Sequence, residues 1–188
     1  NVLNDERIRA DAERGVNLWE GFEAAAPRLI SLGRFSPEKN QELLIRAMPG
    51  LIREFPDAQL ILLGSGPTET AMKALTESLG LRAAVHFWGF TENPMTTVKD
   101  SDLFLLGSTH EGQPMVLLEA MVLGTRPICT DVPGSVEAIS GSGGLVAGWT
   151  PEAFAETVIA ALRDPQEPVF DANAYNRIAL AEFHDLIR

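Results

Sequence analysis

Residues 102–130 read "DLFLLGSTHEGQPMVLLEAMVLGTRPICT", and three patterns follow one another within them. "LFLLG" is a short unbroken apolar run, the pattern of a strand covered on both faces. A polar loop with a glycine comes next. A helix signal follows, with Pro114 at its first position and Gly124 just past its end. "RPICT" is a second apolar strand. From Met115 to Leu123 every residue is apolar except Glu119. Apolar residues on all sides at helical spacing mean a buried helix, and a carboxylate is rarely buried without something to pair it. Two kinds of partner are open for Glu119: hydroxyls of a ligand, or an arginine such as Arg126 in a buried ion pair.

The same strand–loop–helix unit repeats on both sides of this stretch. "RLISLG", "AQLILLG", "AVHFWG" and "GGLVAG" read as further strands. "KNQELLIRAMPGLIREF", "PTETAMKALTESLG", "MTTVKDS" and "PEAFAETVIAALRD" read as helices, the first of them kinked or split at Pro49-Gly50. A last helix is expected from about Asn173 to Ile187. Strands alternating with helices indicate βα units. The fold class is therefore α/β, a Rossmann-like, doubly wound and mostly parallel sheet of six strands. Residues 1–26 are polar, carry no strand and read as a linker or leader with a short solvated helix. Residues 27–165 form the Rossmann-like domain, and 166–188 a C-terminal helix packing on it.

Composition narrows the function. The net charge is −11, from 26 acidic against 15 basic residues, and no basic stripe is visible. That disfavours a nucleic-acid surface. No run of about 18 apolar residues exists, so no transmembrane helix is expected. Cys129 is the only cysteine. It sits in an apolar run and reads as an inert core residue of a reducing compartment.

In an open α/β sheet, ligands sit beyond the carboxyl ends of the strands. After strand one, "GRFSPEKN" places Arg34 and Lys39 in a loop that leads into a helix start. Cations there oppose the helix dipole, so a bound diphosphate would explain them as well as solvent would. "GSGP" after strand two allows close backbone approach or an anion-accepting turn. It lacks the third glycine of the dinucleotide fingerprint, which disfavours a nicotinamide enzyme. "WGFTEN" after strand three frames either a flat base or a plain turn. In "STHEGQP" after strand four, free N–H groups at the helix entry suit an anion. Glu111 stands beside them, and Glu119 lies about 7 Å further along at about 1.5 Å per residue. Carboxylates so spaced suit an elongated, polyhydroxylated anion.

Taken together, "EGQPMVLLE", an E-x7-E pattern, and the wider "SxxEGxPxxLLEAMxxGxxPIxTDxxGxxE" resemble the group-1, family 4 retaining glycosyltransferases of GT-B fold. The resemblance runs from "LISLGRFSPEKN" through "LILLGSGP", "VHFWGF" and "GGLVAGWTPEAFAETVIAALRD", over about residues 28–164. It implies that Arg34 and Lys39 bind the donor diphosphate and that Glu119 binds the ribose. It places Glu111, the catalytic candidate, against the donor sugar. Gly112, Gln113, Pro114, Met115 and Val116 would supply backbone contacts to sugar and phosphate, and Phe90 and Thr91 would meet the nucleobase. It also implies no metal and no cofactor, and a cytoplasmic enzyme, peripheral to a membrane at most. His86, His110 and His184 are scattered and read as structural.

Two positions depart from the family pattern. Asn40 replaces the glycine that commonly follows the lysine, and Gln113 occupies a variable position often filled by Phe. The chain also matches only the donor-binding half of a two-domain enzyme, so an N-terminal acceptor-binding domain is expected elsewhere in a longer protein. The alternative is a non-catalytic nucleotide-sugar-binding module.

Overall fold

The computed structural model describes residues 2–186, with side chains through 181. The surroundings of His184 and the expected helix end at Ile187 lie outside the described residues. Six strands form one sheet: β1 (Arg28–Leu32), β2 (Gln59–Leu63), β3 (Val85–Gly89), β4 (Leu103–Leu106), β5 (Arg126–Thr130) and β6 (Leu145–Ala147). Their order is β3-β2-β1-β4-β5-β6, and every pairing is parallel. The sheet is thus wholly rather than mostly parallel.

Alternate residues of each strand feed two cores. Leu29, Leu60, Leu62, Leu103, Leu105 and Ile128 face α2 (Gln41–Glu54), α3 (Glu69–Ser78) and α7 (Pro151–Arg163). Ile30, Ile61, Leu63, Phe104, Leu106 and Cys129 face the opposite layer. That layer holds α1 (Asp5–Ala12), α4 (Met95–Lys99), α5 (Met115–Val122), α6 (Pro133–Ile139) and α8 (Ala172–Leu186). With both faces covered, strands need no polar side, which is why they read as continuous apolar runs. Burial, and then the nearby Asp131 carboxylate, push the Cys129 thiol up to about 12, so the residue is an inert thiol in the core.

Several local expectations change. α2 runs without a break through Pro49-Gly50. Gly50 lies so close to α7 that a Cβ would sit 3.1 Å from Ala155 Cβ, and packing along α7 outweighs the one backbone bond Pro49 cannot make. Pro114 is the N-cap of α5 rather than its first helical residue. The helix α6, from "PGSVEAI", is an element the sequence reading did not separate from its loop.

The segment read as a linker or leader is packed against the domain. Leu3, Ile8, Ala12, Leu18 and Trp19 are buried. Trp19 Nε1 donates to Ser101 Oγ at 2.9 Å and to Thr97 O at 3.2 Å. Asn176 of α8 clamps Leu3, accepting from its N–H and donating to its carbonyl, both at 2.7 Å. α5 explains this cover: a helix apolar on all sides needs partners beyond the sheet. Few apolar residues among many charges supply them, so the segment looks solvated in one dimension.

Candidate functional site

The site begins with the loop after β1. Gly33 N donates to Leu63 O and Phe35 N to Ser65 O at 2.9 Å, so this loop lies directly on the one after β2. A Cβ on Gly64 would overlap the Gly33 carbonyl, and Gly64 has a φ of +135°. The "GSG" glycines therefore allow two loops to touch, one of the uses open to them from sequence.

The β1 loop is also stitched to the loop after β4. Thr109 N donates to Glu38 O at 2.8 Å, and Asn40 Nδ2 donates to Gly107 O at 3.0 Å. Asn40 is the only described non-glycine residue with positive φ, at φ 47° and ψ 45°. This is a physical reason for a glycine at that position, and asparagine is the side chain that best tolerates the left-handed region. Asn40→Gly should hold stability to within about 1 kcal/mol, trading one hydrogen bond for relieved backbone. Asn40→Ala loses the bond and keeps the strain, and should cost about 2 kcal/mol. Urea denaturation of the two variants checks this ordering.

The stitching brings Lys39 to Glu111. Lys39 Nζ lies 2.6 Å from Glu111 Oε1, with side-chain exposures of 28% and 9%. Ser108 Oγ donates to the same oxygen at 2.6 Å. Ser108 and Gly134 are site residues that sequence reasoning did not single out. A Cβ on Gly134 would overlap the carbonyls of Glu111 and Gly112, so α6 can approach the loop only through a glycine. The signal was present in the spacing of "SxxEG" and "TDxxG", where both residues appear as fixed positions.

Beside the ion pair lies a cleft of ≈ 580 Å³, lined by Gly33 and Arg34 after β1, Gly64 to Gly66 after β2, Phe90 and Thr91 after β3, and Val116 of α5. Arg34, Phe90, Thr91 and Val116 thus meet in one place, with Phe90 83% exposed at the rim. Gly112 and Gln113 line a second cavity of ≈ 400 Å³ with α6 and α8. Gln113 donates to Tyr175 of α8 at 2.6 Å. Pro114 is buried, and Met115 packs against the α5 core.

Glu119 sits three residues beyond Val116 on α5 and is partly buried. Burial raises its pKa. Arg126 is not its partner: that guanidinium donates to Gly143 O at 2.8 Å and Asp164 O at 3.3 Å. Among the described residues no hydrogen bond or ion pair to the Glu119 carboxylate is found, so the ion-pair alternative has no support in the fold.

His86 and the paired aspartates before β4 lie away from this cluster. His86 Nε2 pairs with Gln59 Oε1 at 2.7 Å, and burial lowers its pKa. The chain has an Asp-x-Asp, Asp100-Ser101-Asp102, at the opposite end of the strands. There Asp100 accepts from Asn17 and Asp102 from Arg28 N. Among the described residues no group of three His, Cys, Asp or Glu is arranged to hold a metal, and no helix is long and apolar enough to cross a membrane.

The model of the family described as "Glycosyl transferases group 1" matches residues 20–177. The chain is 32% identical over 155 residues to the GDP-mannose-dependent monoacylated alpha-(1-6)-phosphatidylinositol monomannoside mannosyltransferase of Corynebacterium glutamicum, covering 77% of this chain and 40% of that protein. It is 28% identical over 189 residues to the D-inositol 3-phosphate glycosyltransferase of Corynebacterium urealyticum, covering 95% of this chain and 42% of the relative. The chain therefore spans less than half the length of either. The crystal structure of Anabaena HepE in complex with UDP and glucose shares the fold, with a TM-score of 0.77 at 21% identity over 98% of this chain and 56% of that one. A family match across most of the chain, on a parallel sheet whose loops bring Lys39 to Glu111 with Arg34 in the adjoining cleft, places this protein among the group 1 glycosyltransferases.

Proposed function

We propose that this chain is the donor-binding domain of a retaining, two-domain GT-B glycosyltransferase that takes its sugar from a nucleotide-diphosphate sugar. The observation that carries the reading is a cleft formed by the β1, β2 and β3 loops with Val116 of α5, lined by Arg34, with the Lys39–Glu111 pair beside it, since the Lys39 stem lies against Gly33 of the same cleft. Two cations suit a diphosphate, Arg34 as a fork and Lys39 as a point charge. The cleft is open and largely apolar, as a flat nucleobase requires, and Glu119 has no protein partner among the described residues to compete with ribose hydroxyls. The UDP bound in HepE, on the same fold, supports this choice of ligand class.

In the reaction, the bond from the anomeric carbon to the diphosphate oxygen breaks, and Arg34 and Lys39 stabilise the charge that develops on the leaving group. The acceptor hydroxyl oxygen bonds to the anomeric carbon on the face the diphosphate leaves, giving its proton to the donor phosphate, and same-face attack keeps the anomeric configuration. Glu111 stabilises the positive charge that develops on the sugar. The chain spans only 40% and 42% of these two relatives, which supports a second domain that binds the acceptor.

The test is a thermal-shift panel of UDP-, GDP- and ADP-sugars on the 188-residue chain. One nucleotide series should raise Tm, with a Kd of about 10 μM to 1 mM, and Arg34→Ala and Lys39→Ala should each abolish the shift. Turnover by the full-length enzyme should survive a metal chelator, since these cations occupy the role a divalent ion would have. No shift with any series, or a divalent-ion requirement for the chemical step, would overturn the reading.

A further inference from the structure

Glu111 Oε1 receives two donors that differ in one respect, mobility. Lys39 Nζ arrives on a flexible four-carbon stem, partly open to solvent, and the reading above sends it to the diphosphate. Ser108 is fully buried, at 0% exposure. Its carbonyl accepts from Thr130 Oγ1 at 2.5 Å, and the next residue is tied through Thr109 N to Glu38 O. The Ser108 hydroxyl therefore cannot follow a ligand, while the lysine can.

Once a diphosphate claims Lys39, Glu111 keeps a charged carboxylate that is nearly buried and now faces another anion. Held by nothing, it would turn away from the phosphates. We propose that Ser108 is a positioning residue for Glu111: its fixed hydroxyl retains Oε1 as Lys39 moves to the diphosphate, so that Oε2 stays presented to the donor sugar. Among the described residues only Oε1 carries hydrogen bonds, which leaves Oε2 for that role. The spacing fits: with Glu111 three positions after Ser108 in a tight loop, the hydroxyl reaches its own loop's carboxylate without help from another element. This inference rests on the donor-binding reading, and in particular on Glu111 acting at the sugar.

The experiment uses the natural full-length protein, assayed with UDP-glucose, GDP-mannose and ADP-glucose, the fastest of the three then serving throughout. Ser108→Ala should lower kcat by about 10- to 100-fold, with donor KM and UDP affinity changed by less than about 3-fold, the pattern of an interaction used in the transition state. The double variant Ser108→Ala/Glu111→Gln should be no slower than Glu111→Gln alone, because a residue that acts through another has nothing left to position. If Ser108→Ala proves too unstable, Ser108→Cys keeps the volume with a weaker donor and should still lower kcat several-fold. A Ser108 variant as fast as wild type while Glu111→Gln is impaired would overturn the proposal, as would losses that multiply in the double variant. Full activity of Glu111→Gln, or no turnover of any of the three donors by wild type, would instead remove the donor-binding reading and this inference with it.

Discussion

Glu111→Gln in the full-length enzyme should cut kcat by about 100-fold or more, since electrostatic stabilisation of a developing charge is worth a few kcal/mol. The same substitution should tighten UDP binding. Glu111 holds Lys39 at 2.6 Å, so a diphosphate must take the lysine from a carboxylate and then lie near that carboxylate's charge. Glutamine keeps the shape, frees the ammonium and removes the repulsion. A gain of about 3- to 10-fold in UDP affinity is expected, modest because Lys39 is partly solvated and its pairing is screened. Calorimetry on the chain and steady-state kinetics on the full enzyme read the two effects separately. Weaker UDP binding in the variant would mean that Glu111 supports the diphosphate site rather than competing for its lysine.

Glu119→Ala should weaken UDP by about 1–3 kcal/mol, the value of a charged hydrogen bond to the ribose. The nucleotide sugar should lose the same amount, because the ribose is present in donor and product alike and its contact is uniform binding. The domain itself should lose little stability, since the carboxylate has no protein partner among the described residues. The pH dependence is more discriminating. Burial raises the Glu119 pKa in the folded chain, so the folded state binds this proton more tightly than the unfolded state does. The unfolding free energy contributed by Glu119 therefore falls as pH rises from the ordinary carboxylate range through the raised value, then levels. Glu119→Gln should remove that slope in denaturation series run between about pH 4.5 and 7.5. UDP affinity should move the other way over the same window, rising as Glu119 becomes charged and able to accept ribose hydroxyls. Melting of the Glu119→Ala domain with UDP affinity intact would show that Glu119 is a core residue.

The sequence by itself determined the fold class, the six strands and most of the helices. Strands covered on both faces and helices bounded by Pro and Gly are one-dimensional patterns, because strand and helix periods act over neighbouring residues. Glu119 was legible for the same reason: one charge in an apolar helix stands out without any knowledge of its surroundings.

Other features were decided only by the tertiary structure. Lys39 and Glu111 are 72 residues apart in the chain and meet because β4 pairs directly with β1, a neighbour relation no local pattern encodes. The "GSG" glycines allow an anion turn or a loop contact equally well until the β1 loop is seen lying on them. The continuity of α2 through Pro49 depends on how closely α7 approaches Gly50. Residues 2–26 carry too few apolar side chains to read as core, yet the outer face of α5 needs them. In each case the deciding energy comes from a contact with a distant part of the chain, and that contact exists only once the sheet has assembled.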